Sequence, residues 1–97
     1  MAKFALYVPL KVKAGKEADV EAFLKQGAEM ARKEKGTVSW YALREGERQY
    51  SVFDTFEDEA GRDAHLNGDI AKALMANWSS LFDGELHISK IAILAEK

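Results

Sequence analysis

The strand-like segments at the two ends of this chain are apolar on both of their sides. Residues 4–10 (FALYVPL) and 85–95 (ELHISKIAILA) place apolar side chains at odd and even positions alike. Successive side chains of a strand point to opposite faces of a sheet. A sheet that contains these two segments therefore needs cover on both faces.

Helical periodicity fills two intervals between these segments. Apolar residues recur every three or four positions over Val20–Ala31, with acidic residues before them and basic residues after them, which predicts a helix that Gly36 caps. Asp58 is the predicted N-cap of a short helix. Asp69 is the predicted N-cap of a further helix that runs to about Phe82.

Two β-prone runs complete the pattern. TVSWYALR (37–44) and QYSVFDTF (49–56) are rich in branched and aromatic residues and predict an antiparallel hairpin, with Gly46 in the turn. The order strand, helix, strand, strand, broken helix, strand predicts an α+β fold. Its arrangement is the ferredoxin-like split βαβ, a four-stranded antiparallel sheet with helices on one face. We expect residues 1–97 to form a single domain.

The face without helices predicts an oligomer. If about half a dozen large side chains on this face were exposed to water, each would lose about 1.5–3 kcal/mol of stabilisation from burial. The sum is on the order of 10 kcal/mol, which is similar to the whole stability of a small domain. We therefore expect a homodimer that packs sheet against sheet.

Composition excludes several classes of function. The net charge of −2 leaves no excess of lysine and arginine for a nucleic-acid backbone. The chain has no cysteine, which excludes disulfides and thiolate ligands and fits a reducing compartment, so we expect a cytoplasmic protein. No apolar run approaches the ~20 residues of a membrane span. Phosphate loops, dinucleotide motifs and metal-ligand spacings are absent, so we expect no metal and no bound cofactor.

Two ionisable residues are candidates for acid–base chemistry. His65 follows Gly61 by four residues, a spacing that leaves room beside the imidazole for a ligand or a partner ring. Asp54 lies in an otherwise apolar stripe of its strand and needs a partner, which His65 or Arg44 could supply. An Asp–His pair would orient the imidazole for general-base catalysis. The alternatives are a histidine bonded only to backbone or water, and a plain buried ion pair.

The last helix offers a third candidate. Asn77 interrupts an apolar row of this helix. If its amide faces inward, it needs hydrogen-bond partners, so we expect Asn77 to be a candidate ligand contact. Trp78 and Met75 on the neighbouring row are more often core than pocket lining. His87 has no neighbours that would complete a metal site, so we expect a structural role for it.

Three segments of the chain resemble the antibiotic biosynthesis monooxygenase superfamily of dimeric α+β barrel proteins. They are VKAGKEADVEAFLK, KGTVSWYALRE and QYSVFDTFEDEAGRDAHLNGDIAKAL, and together they extend over nearly the full length. The most specific part is an acid, an aromatic residue and a later His-Leu pair, at Asp54, Phe56, His65 and Leu66. Trp40 stands where relatives usually have tyrosine or phenylalanine.

The resemblance implies a homodimer with a small pocket between helices and sheet in each subunit. Some members oxidise phenols or quinols with O₂ and without metal or flavin: a proton is removed, and the substrate anion then reacts with oxygen. By this resemblance His65 is the proton acceptor or orienting donor, and Asp54 is its partner. The aromatic wall of the pocket would consist of Trp40, Tyr50, Phe56 and Trp78.

The chain also departs from parts of the superfamily. Val52 and Phe56 stand where polyketide-oxidising members have asparagine and tryptophan, and Arg62 stands where they have tyrosine. Val8 and Met75 lie near the positions of the asparagine and the haem-ligating histidine of the haem-degrading branch, so we expect no haem. Other members are isomerases of phosphorylated sugars or lack an established activity. The alternatives to a monooxygenase of small phenols or quinols are an isomerase or other proton-transfer enzyme, and a non-catalytic stress-response module that binds a small ligand.

Overall fold

A computed structural model describes all 97 residues of the chain. Four strands and three helices follow one another along it. None of the helices combines the length and apolarity needed to cross a membrane. The elements are β1 (Phe4–Lys11), α1 (Glu17–Arg32), β2 (Thr37–Gly46), β3 (Gln49–Phe56), α2 (Glu59–Leu66), α3 (Asp69–Leu81) and β4 (Ser89–Ala92).

All four strands belong to one antiparallel sheet, in the spatial order β2-β3-β1-β4. β1 and β3 lie at the centre, so the chain must cross over the sheet between β1 and β2 and again between β3 and β4. The helices make these crossings on the same face. This arrangement confirms the predicted α+β, ferredoxin-like split βαβ architecture.

The helix-covered face of the sheet holds the hydrophobic core. Even-numbered side chains of β1 and β3 point toward α1 and α3, and burying each large apolar side chain is worth about 1.5–3 kcal/mol. The core cluster consists of Val8, Leu10, Val12, Val20, Leu24, Tyr50, Val52 and Phe82. This layer positions the site described below.

The opposite face of the sheet carries no helix. Tyr41 of β2, Phe53 of β3 and Tyr7 of β1 follow one another across it, as the strand register shows. Tyr41, Leu43 and Ile91 on this face are 55%, 39% and 37% exposed. We call this surface the open face, defined by Tyr7, Tyr41, Leu43, Phe53 and Ile91.

The last strand is shorter than the sequence predicts. Ser89–Ala92 pair with Phe4–Tyr7 of β1, and one further bond runs from Ile93 N to Lys3 O. A proline in a sheet usually lies on an edge strand or at a bulge, because it has no N–H to donate, but Pro9 lies in the central strand β1. It follows the residues that pair with β4, so its missing N–H interrupts no bond of that ladder.

Turn and cap positions also differ from the sequence predictions. Arg48, and not Gly46, takes the left-handed conformation of the hairpin turn, with φ of 58°. α1 ends at Arg32, before Gly36 is reached. Gly36 contacts α2 instead, where a Cβ at Gly36 would come within 2.8 Å of Gly61 Cα. Two facing glycines therefore let the loop after α1 touch the backbone of α2.

The helix starts agree more closely. The Asp58 side chain accepts a hydrogen bond from Gly61 N at 2.8 Å, so the predicted N-cap of α2 is confirmed. Asp69 is the first residue of α3, and Gly68 takes the N-cap position before it. The acid at Asp69 still lies where the helix dipole favours negative charge.

Candidate active site

Asp54 is the only carboxylate residue buried in the core. It lies on the helix-covered face of β3, opposite Leu6 of β1 and Trp40 of β2, and it is 1% exposed. Neither of its carboxylate oxygens has an aligned hydrogen-bond donor within the chain. A buried carboxylate without donors lowers stability, so packing alone does not account for it.

α2 brings His65 against Asp54. His65 Nε2 lies 2.8 Å from Asp54 Oδ2, and the imidazole is 7% exposed. At this distance the two side chains form an ion pair when the imidazole is protonated. The two residues that the sequence predicts as partners therefore lie in contact.

A second carboxylate holds the other side of the imidazole. Glu34, which follows the end of α1, places Oε1 2.7 Å from His65 Nδ1. Thr37 Oγ1 donates a hydrogen bond to the same Glu34 oxygen at 2.8 Å. The Glu34 side chain is 24% exposed. The imidazole thus lies between a buried carboxylate and one that reaches the surface.

The surroundings change the pKa of both members of the pair. Burial raises the pKa of Asp54, and the contact with His65 offsets that rise only in part. Burial lowers the pKa of His65, but the hydrogen bonds and charges of Asp54 and Glu34 outweigh it, so the net pKa of His65 is raised. Both directions mean that the pair holds a proton more firmly than isolated groups would.

A cavity of about 90 Å³ opens beside Asp54 and His65. It lies between the sheet and helices α1 and α3, and its walls are mostly apolar. Besides Asp54 and His65, Gln26 is the one residue of the wall with a polar, non-aromatic side chain. No lysine or arginine lines the cavity. The aliphatic part of the wall includes Leu6, Val8, Ile70, Leu74 and Ile88.

Trp40 is the one member of the predicted aromatic wall that lines this cavity. Its six-membered ring packs on α1 at Gly27, where a Cβ would come within 3.2 Å of the ring. The indole Nε1 is buried and has no partner within the chain. Phe23 of α1, which the sequence analysis did not single out as a site residue, is the other aromatic residue in the wall.

The remaining predicted wall residues lie elsewhere. Tyr50 donates from its hydroxyl to Glu21 at 2.6 Å and lines a separate groove between α1 and β2. Phe56 is fully buried and packs against the imidazole of His65, with ring centroids 5.4 Å apart. Trp78 donates its indole N–H to Gly84 O at 2.8 Å. The wall is therefore mainly aliphatic, because β1, α1 and α3 contribute most of it.

Asn77 does not reach the cavity. Its side chain is exposed on α3 and donates to Ala73 O of the preceding turn at 2.8 Å. The α3 residues that line the cavity end at Leu74, so the helix has already passed the cavity at Asn77. The amide is satisfied within its own helix, and the break in the apolar row reflects exposure.

The acidic and imidazole groups do not form a metal-binding cluster. No group of three histidine, aspartate or glutamate side chains in the chain converges on one point. Asp54 and Glu34 contact opposite nitrogens of His65, so the three side chains cannot face the same ion.

Glu34 is a residue of the site that the sequence does not indicate. It lies in the charged run ARKEKG, where nothing distinguishes it from its neighbours. The sequence signal that does exist is Gly61, interpreted above as room for a ligand. The structure fills that room with Gly36, whose oxygen would lie 2.8 Å from a Cβ at Gly61. This contact brings the loop after α1, and Glu34 with it, to the imidazole.

Comparisons with known proteins agree with this fold. Residues 4–77 match the family model described as Antibiotic biosynthesis monooxygenase. The crystal structure of a protein of unknown function from Nitrosomonas europaea is 48% identical, with a TM-score of 0.95, over 100% of this chain and 94% of that one. No curated protein sequence matches the chain significantly.

More distant structures share the fold. A candidate antibiotic biosynthesis monooxygenase from Caulobacter crescentus is 22% identical, with a TM-score of 0.81, over 97% of this chain and 92% of that one. A protein from Mycobacterium tuberculosis is 16% identical, with a TM-score of 0.85, over 98% of each chain. At these identities the likeness concerns the fold alone.

Proposed function

Because this chain belongs to the antibiotic biosynthesis monooxygenase family, we propose that it oxidises a small phenolic or quinol-type molecule with O₂, and that removal of a proton in the cavity beside Asp54 starts the reaction. The enzyme needs no bound cofactor in this scheme, because the electron-rich substrate anion reacts with oxygen itself. The protein supplies a base, a water-poor cavity and charge that stabilises the anion.

The unpartnered oxygen of Asp54 is the observation that carries this proposal. Asp54 Oδ2 faces His65, whereas Oδ1 is buried without any donor, and the residue lines the cavity. The hydroxyl of a bound phenol or quinol would supply the missing donor. A carboxylate with a raised pKa is also a suitable base near neutral pH.

His65 acts through Asp54 in this mechanism. Both of its ring nitrogens face carboxylates, at 2.8 Å and 2.7 Å, so neither nitrogen is free to take a proton from a substrate. The role left to the imidazole is to orient Asp54 and to place positive charge near the substrate anion.

The size and charge of the cavity support a small, uncharged substrate. A volume of about 90 Å³ is below the ~150 Å³ of an apolar protein cavity that admits benzene. A polycyclic molecule is therefore too large for the site, and even a single-ring molecule requires the wall of the cavity to widen on binding. The lining contains no lysine or arginine to pair with phosphate, which favours uncharged substrates.

The overall oxidation balances without another reductant. When a phenol becomes a quinone, one oxygen atom enters the ring as the second carbonyl and the other leaves as water. The substrate supplies all four electrons, and Asp54 returns the abstracted proton to the departing water.

Oxygen uptake tests this proposal. We expect purified protein to consume O₂ with single-ring hydroquinones or catechols, more slowly with naphthols, and not measurably with phosphorylated sugars. Asp54→Asn should abolish the uptake, whereas Asn77→Ala should not change it, because Asn77 is exposed and bonded within its own helix. Equal uptake by Asp54→Asn and wild type would contradict the proposal.

The aliphatic wall favours a second candidate function. Only Trp40 and Phe23 offer aromatic surface to a ligand, and a base beside an aliphatic cavity also suits an isomerase that moves a proton on a small carbonyl compound. Turnover that continues without oxygen, with solvent deuterium incorporated into the product, would favour the isomerase. Tight binding of a small molecule with neither reaction would favour the ligand-binding module.

We also propose that two copies associate through the open face. Tyr41 and Leu43 of β2 and Ile91 of β4 leave apolar side chains exposed on a sheet whose other face is already covered. A twofold contact of two such faces would bury both surfaces at once. Sedimentation equilibrium at micromolar concentration should show a dimer, and a monomer at that concentration would contradict this association.

A further inference from the structure

Glu34 controls the side of His65 that faces away from the cavity. Its Oε1 accepts from Thr37 Oγ1 at 2.8 Å and lies 2.7 Å from His65 Nδ1. The side chain is 24% exposed, and its Oε1 already accepts the Thr37 hydroxyl, so this oxygen faces Nδ1 as an acceptor. An ionised carboxylate only accepts hydrogen bonds. Nδ1 must therefore carry a proton to make this contact.

The position of Glu34 is built into the fold. The loop that carries Glu34 contacts α2 where Gly36 meets Gly61, and a Cβ on either glycine would come within 2.8 Å of the other's backbone. Glu34 Oε2 also lies near Gly68, where an added Cβ would be 3.4 Å away, an ordinary van der Waals contact. Phe56 packs against the imidazole on its inner side. The ring is therefore confined between fixed partners.

A proton on Nδ1 has a consequence at Nε2. If Nδ1 held the only proton of a neutral imidazole, Nε2 would present a lone pair to an ionised Asp54 oxygen 2.8 Å away. Two acceptors at that distance repel each other unless a proton lies between them. Arg62, one turn earlier on α2, does not relieve this, because its guanidinium packs over Phe4 and reaches Ile91 O.

We propose that Glu34 is a positioning residue that keeps His65 doubly protonated between the two carboxylates, so that Asp54 Oδ1 is the only atom of the three side chains open to the substrate. The resting site then contains Asp54 carboxylate, His65 imidazolium and Glu34 carboxylate.

The consequence for catalysis rests on the proposed function. When Asp54 Oδ1 takes a proton from the substrate, the bond from oxygen or carbon to that proton breaks and its electron pair stays on the substrate. His65 remains a cation beside the new anion, because Glu34 holds the Nδ1 proton in place. The summed charge of the three side chains rises by one unit. This rise compensates the negative charge that the substrate gains.

Side-chain ¹⁵N NMR of the free protein tests the protonation state directly. The chain has two histidines, and the exposed His87 provides a reference in the same spectrum. We expect both ring nitrogens of His65 to carry protons at pH 7 in wild type. In Glu34→Gln the amide can donate to Nδ1, so we expect a neutral ring with its proton on Nε2. Glu29→Gln, on the exposed face of α1, should leave the His65 signals unchanged.

Several results would overturn the inference. A wild-type His65 with one protonated nitrogen contradicts it, and so does a doubly protonated ring in Glu34→Gln. If Glu34→Gln fails to fold, Glu34→Ala provides the same test. Water then replaces the carboxylate at Nδ1, so the imidazole should again lose its second proton. With an active substrate, Glu34→Gln should lower kcat at least tenfold with a smaller change in KM.

The outcomes separate this inference from the proposed function. The NMR state is measured without any substrate, so a doubly protonated His65 in a protein that consumes no O₂ would refute the proposed function and leave the inference standing. Oxygen uptake by wild type together with unchanged His65 signals in Glu34→Gln would refute the inference alone.

Discussion

The two faces of the sheet depart from ordinary burial in opposite ways. The helix-covered face keeps a carboxylate and an imidazole inside an apolar layer, with Asp54 1% and His65 7% exposed. The open face keeps large apolar side chains in water, with Tyr41 55% and Leu43 39% exposed. Buried polar groups and exposed apolar patches are the two departures that carry information about function.

The difference separates chemistry from association. On the covered face, the polar pair lowers stability and is explained by a ligand that completes its hydrogen bonds. On the open face, we propose that a second copy removes the apolar surface from water. Each proposed partner belongs to one face, and the following substitutions test the faces one at a time.

The largest effect is expected on the covered face, at Asp54. Asp54→Asn removes the base but keeps nearly the same shape, so turnover with an identified substrate should fall by about 10²–10⁴-fold. The dimer on the open face should be unaffected. Steady-state kinetics and sedimentation of the same preparation check both statements. A variant that loses its dimer together with its activity would break the separation of the two faces.

The next effect is expected on the open face, at Leu43. Leu43→Asp places one charge per subunit in a twofold contact, so two leucine burials of about 1.5–3 kcal/mol each are lost. A loss of about 3 kcal/mol weakens the dimer at least about 100-fold. Sedimentation equilibrium measures this change.

Met75→Asp is the matched control for Leu43→Asp. Met75 is 56% exposed on α3, outside the open face. Its substitution should leave the dimer intact. Equal dissociation of the two variants would show that the open face is not the contact surface.

The third effect concerns the contact that joins the covered face to the loop after α1. Gly36→Ala would place a Cβ 2.8 Å from Gly61 Cα, and overpacking against backbone costs about 1–3 kcal/mol. The urea midpoint should therefore fall. Gly46→Ala is the control, because no atom lies within 4 Å of its Cβ position. If both variants unfold at the same urea concentration, the close contact between Gly36 and Gly61 does not contribute to stability.

The smallest effect is a dependence of stability on pH. The pKa of His65 is raised above its ordinary 6.5 in the folded protein, so its stabilising contribution is complete below about pH 6.5 and is lost as pH rises through the folded pKa. The raised pKa of Asp54 acts in the same direction from about pH 3.8 upward, as pH rises through its folded pKa. The free energy of unfolding should decline from pH 6.5 to pH 9, and less so in Asp54→Asn. A flat or rising profile in wild type would contradict this.

Parts of the site follow from sequence and parts do not. The Asp54–His65 pairing was predictable because a lone acid in an apolar strand needs a partner, and the family pattern places the histidine on the next helix. The aromatic wall was not predictable, because Tyr50, Phe56 and Trp78 each contact other residues of the chain and do not line the cavity. Strand and helix periodicity indicates a face of an element, but not which point along that face borders a cavity.

The sequence by itself determined the order of the elements, the sheet they form and the presence of apolar side chains on both of its faces, because these depend on local periodicity and on burial. Only the tertiary structure decided that Glu34 reaches His65, that Asn77 stays outside and that the cavity is small and mainly aliphatic. The physical reason is that these features depend on contacts of a few ångströms between distant segments, such as Gly36 against Gly61, which no local pattern encodes.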